Sequence, residues 1–125
     1  MPTQLIESAD PVFDAAHLVY RVRPGSINSP LIIMIHGLGG DENVMWIFER
    51  ALPDQATVIA PRAPLWIEPG TPHAEEASGG YSWFRPAPLP RPVRSTLAQA
   101  IGVLQKFIAA AIEKYSADPN QVYLL

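Results

Sequence analysis

With 125 residues, 48% of them hydrophobic, the chain is the size of one domain and apolar enough to form a core, which excludes global disorder. A net charge of −3 with no basic cluster argues against nucleic acid or an anionic membrane as the main partner, and the lack of cysteine excludes disulfides, thiol nucleophiles and cysteine-based metal sites. No apolar stretch approaches the roughly 20 residues of a spanning helix, and Met1 to Asp10 lacks the apolar centre of a signal peptide, so a cytoplasmic setting is expected.

Along the chain, His17 to Arg23 alternates, with Leu18, Tyr20 and Val22 on one side, which predicts a half-buried or edge strand. Pro24-Gly25 and Asn28-Ser29-Pro30 form the turn after it. Leu31 to Ile35 is a continuous apolar run, the pattern of a strand covered on both faces. Asp41 then suits a helix N-cap, Glu42 suits the positive end of that helix, and Val44, Ile47, Phe48 and Ala51 follow helical spacing up to Pro53. Thr57 to Pro61 is a second apolar strand.

Residues 62–94 show no period. Eight of the fourteen prolines lie between Pro61 and Pro92, and the segment is predicted to be one long proline-rich loop inside a single domain spanning 1–125. From Thr96 a helical stripe runs through Leu97, Ile101, Leu104, Ile108, Ala111, Ile112 and Tyr115, with Thr96 and Gln99 placed as a capping box. Asp118-Pro119-Asn120 ends it, and Gln121 to Leu125 reads as a further buried strand. Apolar strands alternating with amphipathic helices predict an α/β fold, a mostly parallel sheet flanked by helices, with its chemistry at the carboxyl ends of the strands.

The turn His36-Gly37-Leu38-Gly39-Gly40-Asp41 lies at such an end. Backbone N–H groups in a glycine-rich turn between a strand and a helix can converge on an oxyanion or a phosphate. On the residues alone, a merely tight strand-to-helix connection explains the glycines equally well. A dinucleotide fingerprint does not fit, since Glu42 stands where G-x-G-x-x-G needs its third glycine.

Four blocks occur in order: LIIMIHGLGGDE from Leu31, Ala60-Pro61-Arg62-Ala63-Pro64, Gly79-Gly80-Tyr81-Ser82-Trp83-Phe84, and Asp118 to Leu125. Together they resemble the phospholipase/carboxylesterase family of α/β-hydrolases, which includes the acyl-protein thioesterases, over residues 17 to 125. The resemblance implies an α/β-hydrolase fold and hydrolysis of small acyl esters or thioesters without a cofactor or metal. It implies that Leu38 gives an oxyanion-hole N–H, that Gly37 and Gly39 border the substrate, and that Trp83 lines the acyl pocket.

In that family the last strand runs into Gly-Phe-Ser-Gln-Gly, the nucleophile elbow, and the triad's Asp and His follow. None of these is present, so by resemblance the chain is the N-terminal part of a hydrolase, truncated before the elbow and inactive alone. Its expected partners are copies of itself or the missing C-terminal half, because an uncovered apolar strand edge invites association. The rival reading is a non-catalytic remnant that acts as a binding or assembly module.

Other candidates weigh less. Ser82 lacks the final glycine of an elbow. His36 reads as a residue that fixes the turn by a hydrogen bond, and His17 as a strand-surface residue. His73 with Glu75 and Glu76 has too few partners for a metal site and reads as a solvated loop.

Overall fold

A computed structural model describes residues 3–6, 18–67, 80–84 and 94–125. Five strands form one mixed sheet: β1 (Gln4–Ile6), β2 (Tyr20–Arg23), β3 (Leu31–Ile33), β4 (Thr57–Pro61) and, last in the chain, β7 (Val122–Leu124), in the order β1-β2-β4-β3-β7. The β4-β3-β7 half is parallel, and β1-β2-β4 is antiparallel. A 3₁₀ helix (Val44–Ala51) follows β3, and an α-helix, α1 (Arg94–Tyr115), precedes β7.

The run Leu31 to Ile35 is apolar throughout because the sheet is covered twice. Leu31 and Ile33 face one cluster with Leu18, Tyr20, Val22, Ile59, and Phe107 and Ala111 of α1. Ile32 and Met34 face a second cluster with Ala56, Val58 and Ala60, capped by Met45, Trp46 and Leu52 around the 3₁₀ helix. Phe107 and Tyr20 meet edge-to-face at 5.4 Å between centroids. The Tyr20 hydroxyl bonds that of Tyr115 at 2.9 Å, which satisfies both phenols, and burial raises the pKa of each.

Several expectations are corrected. β2 is an interior strand, not an edge, since β1 covers its outer side with a ladder of three residue pairs. A strand that short carries no periodic signal of its own. Arg23, placed outward by the alternation, is buried. Its Nη2 donates to the Pro53 carbonyl and its Nη1 lies 3.7 Å from the Glu49 carboxylate, so the cation is spent on the end of the 3₁₀ helix.

The helix after Asp41 is 3₁₀ and starts at Val44. With three residues per turn the inward row becomes Trp46, Glu49 and Leu52, while Val44, Ile47 and Phe48 are exposed. Asp41 instead accepts the Asn43 N–H on Oδ1 at 2.8 Å, the bond of an Asx turn. In α1, the helix begins at Arg94, so Thr96 lies inside the first turn and not at a cap. Its inward row is Ala100, Phe107 and Ala111, with Ile101 turned to solvent.

Of the segment 62–94, residues 68–79 and 85–93 lie outside the described residues, and within the described part β5 (Leu65–Trp66) and β6 (Tyr81–Ser82) pair antiparallel. The strand at Gln121 to Leu125 is present as β7, but it forms the edge of the sheet, with Tyr123, Leu124 and Leu125 exposed. Among the described residues no helix is long and apolar enough to cross a membrane.

α1 ends in a Schellman arrangement. Ala117 N–H bonds the Ile112 carbonyl, Ser116 N–H bonds that of Glu113, and Ser116 has φ 50°. A non-glycine residue in the left-handed region is strained. Ser116→Gly is expected to raise stability by roughly 0.5–1 kcal/mol, read as a higher Tm in a thermal melt; an unchanged or lower Tm refutes the strain.

Candidate active site

From β3 the chain moves to β4 on one side and later returns to β7 on the other, so the carboxyl end of β3 is the point where strand order reverses. Open α/β sheets bind ligands in the crevice at such a point. The turn after His36 occupies it.

Three backbone bonds build the turn. Gly40 N–H closes it onto the Gly37 carbonyl at 3.1 Å, with Leu38 and Gly39 as the central residues. Gly39 takes φ 80°, the value that the third residue of a type II turn requires and that glycine accepts without strain. Gly39 N–H then donates to the Tyr81 carbonyl at 2.9 Å, and Tyr81 N–H to the Gly40 carbonyl at 3.0 Å, which stitches β6 onto the turn. Gly80 makes that approach possible, because a Cβ there would lie 1.8 Å from the Gly39 oxygen.

His36 holds the turn from beneath. Its buried ring accepts the Ala63 N–H on Nε2 at 3.0 Å, so Nδ1 carries the proton and donates it to the Gly37 carbonyl at 2.7 Å. Its own carbonyl accepts the Trp83 indole N–H at 2.9 Å, and the two rings pack at 5.4 Å. His17, His73, Glu75 and Glu76 lie outside the described residues. Among the described residues no group of three histidine, aspartate or glutamate side chains is placed to hold a metal ion.

A further clamp was not legible in the sequence. Glu42, buried at 3% exposure, receives a bidentate grip from Arg62 just after β4, Nε to Oε2 at 2.7 Å and Nη2 to Oε1 at 2.6 Å. The Arg62 hydrogen bond holds the Glu42 carboxyl below its usual range despite burial, and the Glu42 bond raises Arg62 in turn. Arg62 also sits over the Tyr81 ring at 4.7 Å. The Glu42 carbonyl accepts the Trp46 indole N–H at 2.8 Å, so the same residue anchors the 3₁₀ helix. The only hint in the sequence was a glutamate at an expected helix start and an arginine at a strand end.

Leu38 is exposed at 44%, and its N–H has no hydrogen-bond partner among the described residues, while those of Gly39 and Gly40 are both used. Gly37 is exposed, and a Cβ there would meet nothing within 4 Å. Gly39 therefore serves the turn by its conformation, not as a free donor. Trp83 is half-buried against His36 and lines a cleft of about 500 Å³ with Leu65 and the first turns of α1. Ser82 is buried and its hydroxyl donates to the Phe84 carbonyl two residues on, so it presents no nucleophile. The carboxyl end of β7 closes the group: Ile35 N–H bonds the Leu125 carbonyl at 2.8 Å, beside the start of the turn.

No protein-family model and no curated protein sequence matches this chain. Solved structures do. The chain is similar to the protein Atu2452 of unknown function from Agrobacterium tumefaciens str. C58, at 30% identity and a TM-score of 0.67, over 82% of this chain and 45% of that one. It is similar to a carboxylesterase from Mesorhizobium loti, at 17% identity and a TM-score of 0.72, over 99% of this chain and 52% of that one. It is also similar to esterase PE8, at 21% identity and a TM-score of 0.66, over 86% and 50%. The chain thus spans about half the length of the structures it matches, and what it shares with the two esterases is the fold, a helix-flanked α/β-hydrolase-type sheet.

Proposed function

We propose that this chain supplies part of the active site of a serine carboxylesterase or acyl-thioesterase of the phospholipase/carboxylesterase type. It contributes one oxyanion donor, the Leu38 N–H, and one wall of the acyl pocket, Trp83. The nucleophile comes from polypeptide outside these 125 residues, which contain no Gly-x-Ser-x-Gly. The observation that carries this reading is the Leu38 amide, which has no hydrogen-bond partner among the described residues and lies in a turn held by bonds at Gly37, Gly39 and Gly40. Acyl transfer needs a preorganised donor where negative charge develops on the carbonyl oxygen, and a backbone N–H held by its neighbours is such a donor. The end of β7 beside Ile35 is where a nucleophile on the next turn would meet that charge.

The substrate class that follows is a small acyl ester or thioester, with no cofactor. Two assays test the reading. The purified 125-residue chain is expected to turn over p-nitrophenyl butyrate no faster than a heat-treated control, and serine-dependent turnover well above it would refute the division of labour. The chain extended by the codons that follow Leu125 in its gene is expected to gain a Gly-x-Ser-x-Gly and hydrolysis sensitive to a serine-directed fluorophosphonate. A stop codon there, with no activity, favours the binding or assembly module instead.

A further inference from the structure

The cleft beside Trp83 has a composition that the turn does not explain. Its walls are Leu65 before the β5–β6 connection, Trp83 after it, and Ala100, Gly102 and Val103 on α1, with Gln99 and Lys106 bringing polar atoms. At about 500 Å³ it falls in the range of small-molecule sites, which are apolar with a few placed polar groups. Among the described residues no ion pair includes Lys106.

Gly102 is the second observation. It lies well inside a 22-residue helix, where glycine is the poorest choice after proline. Packing does not demand it, because a Cβ built at Gly102 meets nothing within 4 Å. Any side chain there would occupy the cleft. The glycine thus weakens the helix and keeps a space open, a combination that a ligand explains and the core does not.

We propose that this cleft binds an aliphatic ligand carrying an anionic group, its hydrocarbon lying over Gly102 and against Trp83 and its charge paired with Lys106. The proposal rests on the esterase reading only in taking the hydrocarbon for the acyl part of a substrate, one whose far end is negatively charged. The site itself is separate from the Leu38 amide, and the two can fail independently.

The test is an NMR titration of the ¹⁵N-labelled 125-residue chain with octanoate and, as the neutral control, octanamide at low salt. Saturable shifts are expected at the Trp83 indole and the Gly102 amide, with octanoate bound about fivefold tighter, the worth of one partly exposed ion pair. Lys106→Met should bring octanoate down to the level of octanamide. Gly102→Leu should abolish binding of both while Tm stays equal or rises. The proposal is overturned by the absence of saturable shifts at those two groups, by equal affinity for the two probes in the native chain, or by undiminished binding to a folded Gly102→Leu variant. Failure here with hydrolysis intact in the extended chain removes the ligand and leaves the esterase reading standing. Binding here without hydrolysis does the reverse.

Discussion

Leu38→Pro in the extended chain is expected, on the proposed esterase reading, to lower kcat by about 10²–10³-fold with KM little changed, because it would delete the proposed oxyanion donor and no other hydrogen bond among the described residues. Proline suits this position physically. Leu38 is the second residue of the Gly37–Gly40 turn, the place where a fixed negative φ is favoured, and its amide makes no bond among the described residues that would be lost. Gly37 before it accepts the restriction that proline imposes on its predecessor. Stability should therefore change by no more than roughly 0.5 kcal/mol. Leu38→Ala removes the half-exposed side chain but keeps the amide, and should leave kcat within about threefold, since surface truncations away from a reacting group cost little. Hydrogen exchange adds a measure free of catalysis: in the native chain the Leu38 amide should exchange faster than those of Gly39 and Gly40, whose bonds must open first. A proline variant that folds and retains kcat would remove the donor from the mechanism.

The second large effect is expected at the clamp. Arg62→Ala should destabilise the chain by about 2–3 kcal/mol, since it strands the Glu42 carboxylate, which is 4% exposed. The value sits at the low end for buried pairs because Arg62 keeps 28% of its own surface in water. The Tm should fall by roughly 10 °C. Adding Glu42→Gln to Arg62→Ala should recover part of the loss, because the uncompensated charge is then gone; a double variant no better than the single would show that the charge is not what matters. The pair also sets a pH dependence. Glu42 is held below its ordinary value of 4.5 in the folded chain, so its contribution is complete above that pH. It is lost as pH falls through the lowered folded value, so the native chain should lose stability in that acid window more steeply than Glu42→Gln. Arg62, raised above its ordinary value by the Glu42 bond, stays charged through the whole working range and adds no slope near neutrality. Equal acid slopes in the two proteins would contradict the assignment. Glu42 lies two residues past Gly40, so loosening the clamp also frees the turn that carries the Leu38 amide.

Local patterns foretold what local physics decides. The unbroken apolar runs at Leu31 and Thr57 marked strands buried on both faces, and the glycines after His36 marked a turn whose Gly39 does take a positive φ. The long helix was legible because its apolar residues recur over many turns: Ala111 of the expected stripe is in the core and Ile108, Ile112 and Tyr115 pack against it, while Phe107 joins the row and Ile101 leaves it. What could not be read was pairing between distant segments. Glu42 and Arg62 stand 20 residues apart and each fits a blander role alone. Arg23 alternated as an outward residue, yet a guanidinium that finds carbonyls at Pro53 and Ala56 can be buried. The segment after Asp41 had an α-helical period in its apolar residues, and the tertiary contacts of Trp46 and Arg23 selected the tighter winding. β5 and β6 are two residues each, too short to announce themselves, although they bring Tyr81 and Trp83 to the turn.

The outer rim of the sheet carries a consequence for the amide at its centre. The Gln121 carbonyl and both backbone groups of Leu125 are spent on Leu31, Ile33 and Ile35, which turns those of Val122 and Leu124 outward. An incoming strand would be gripped there by its main chain, with little regard to its sequence, and a parallel one would finish near residue 38. On the reading proposed above, such a strand would carry its own last residues up to the Leu38 amide, so its main chain alone would bring two distant stretches of polypeptide to one point.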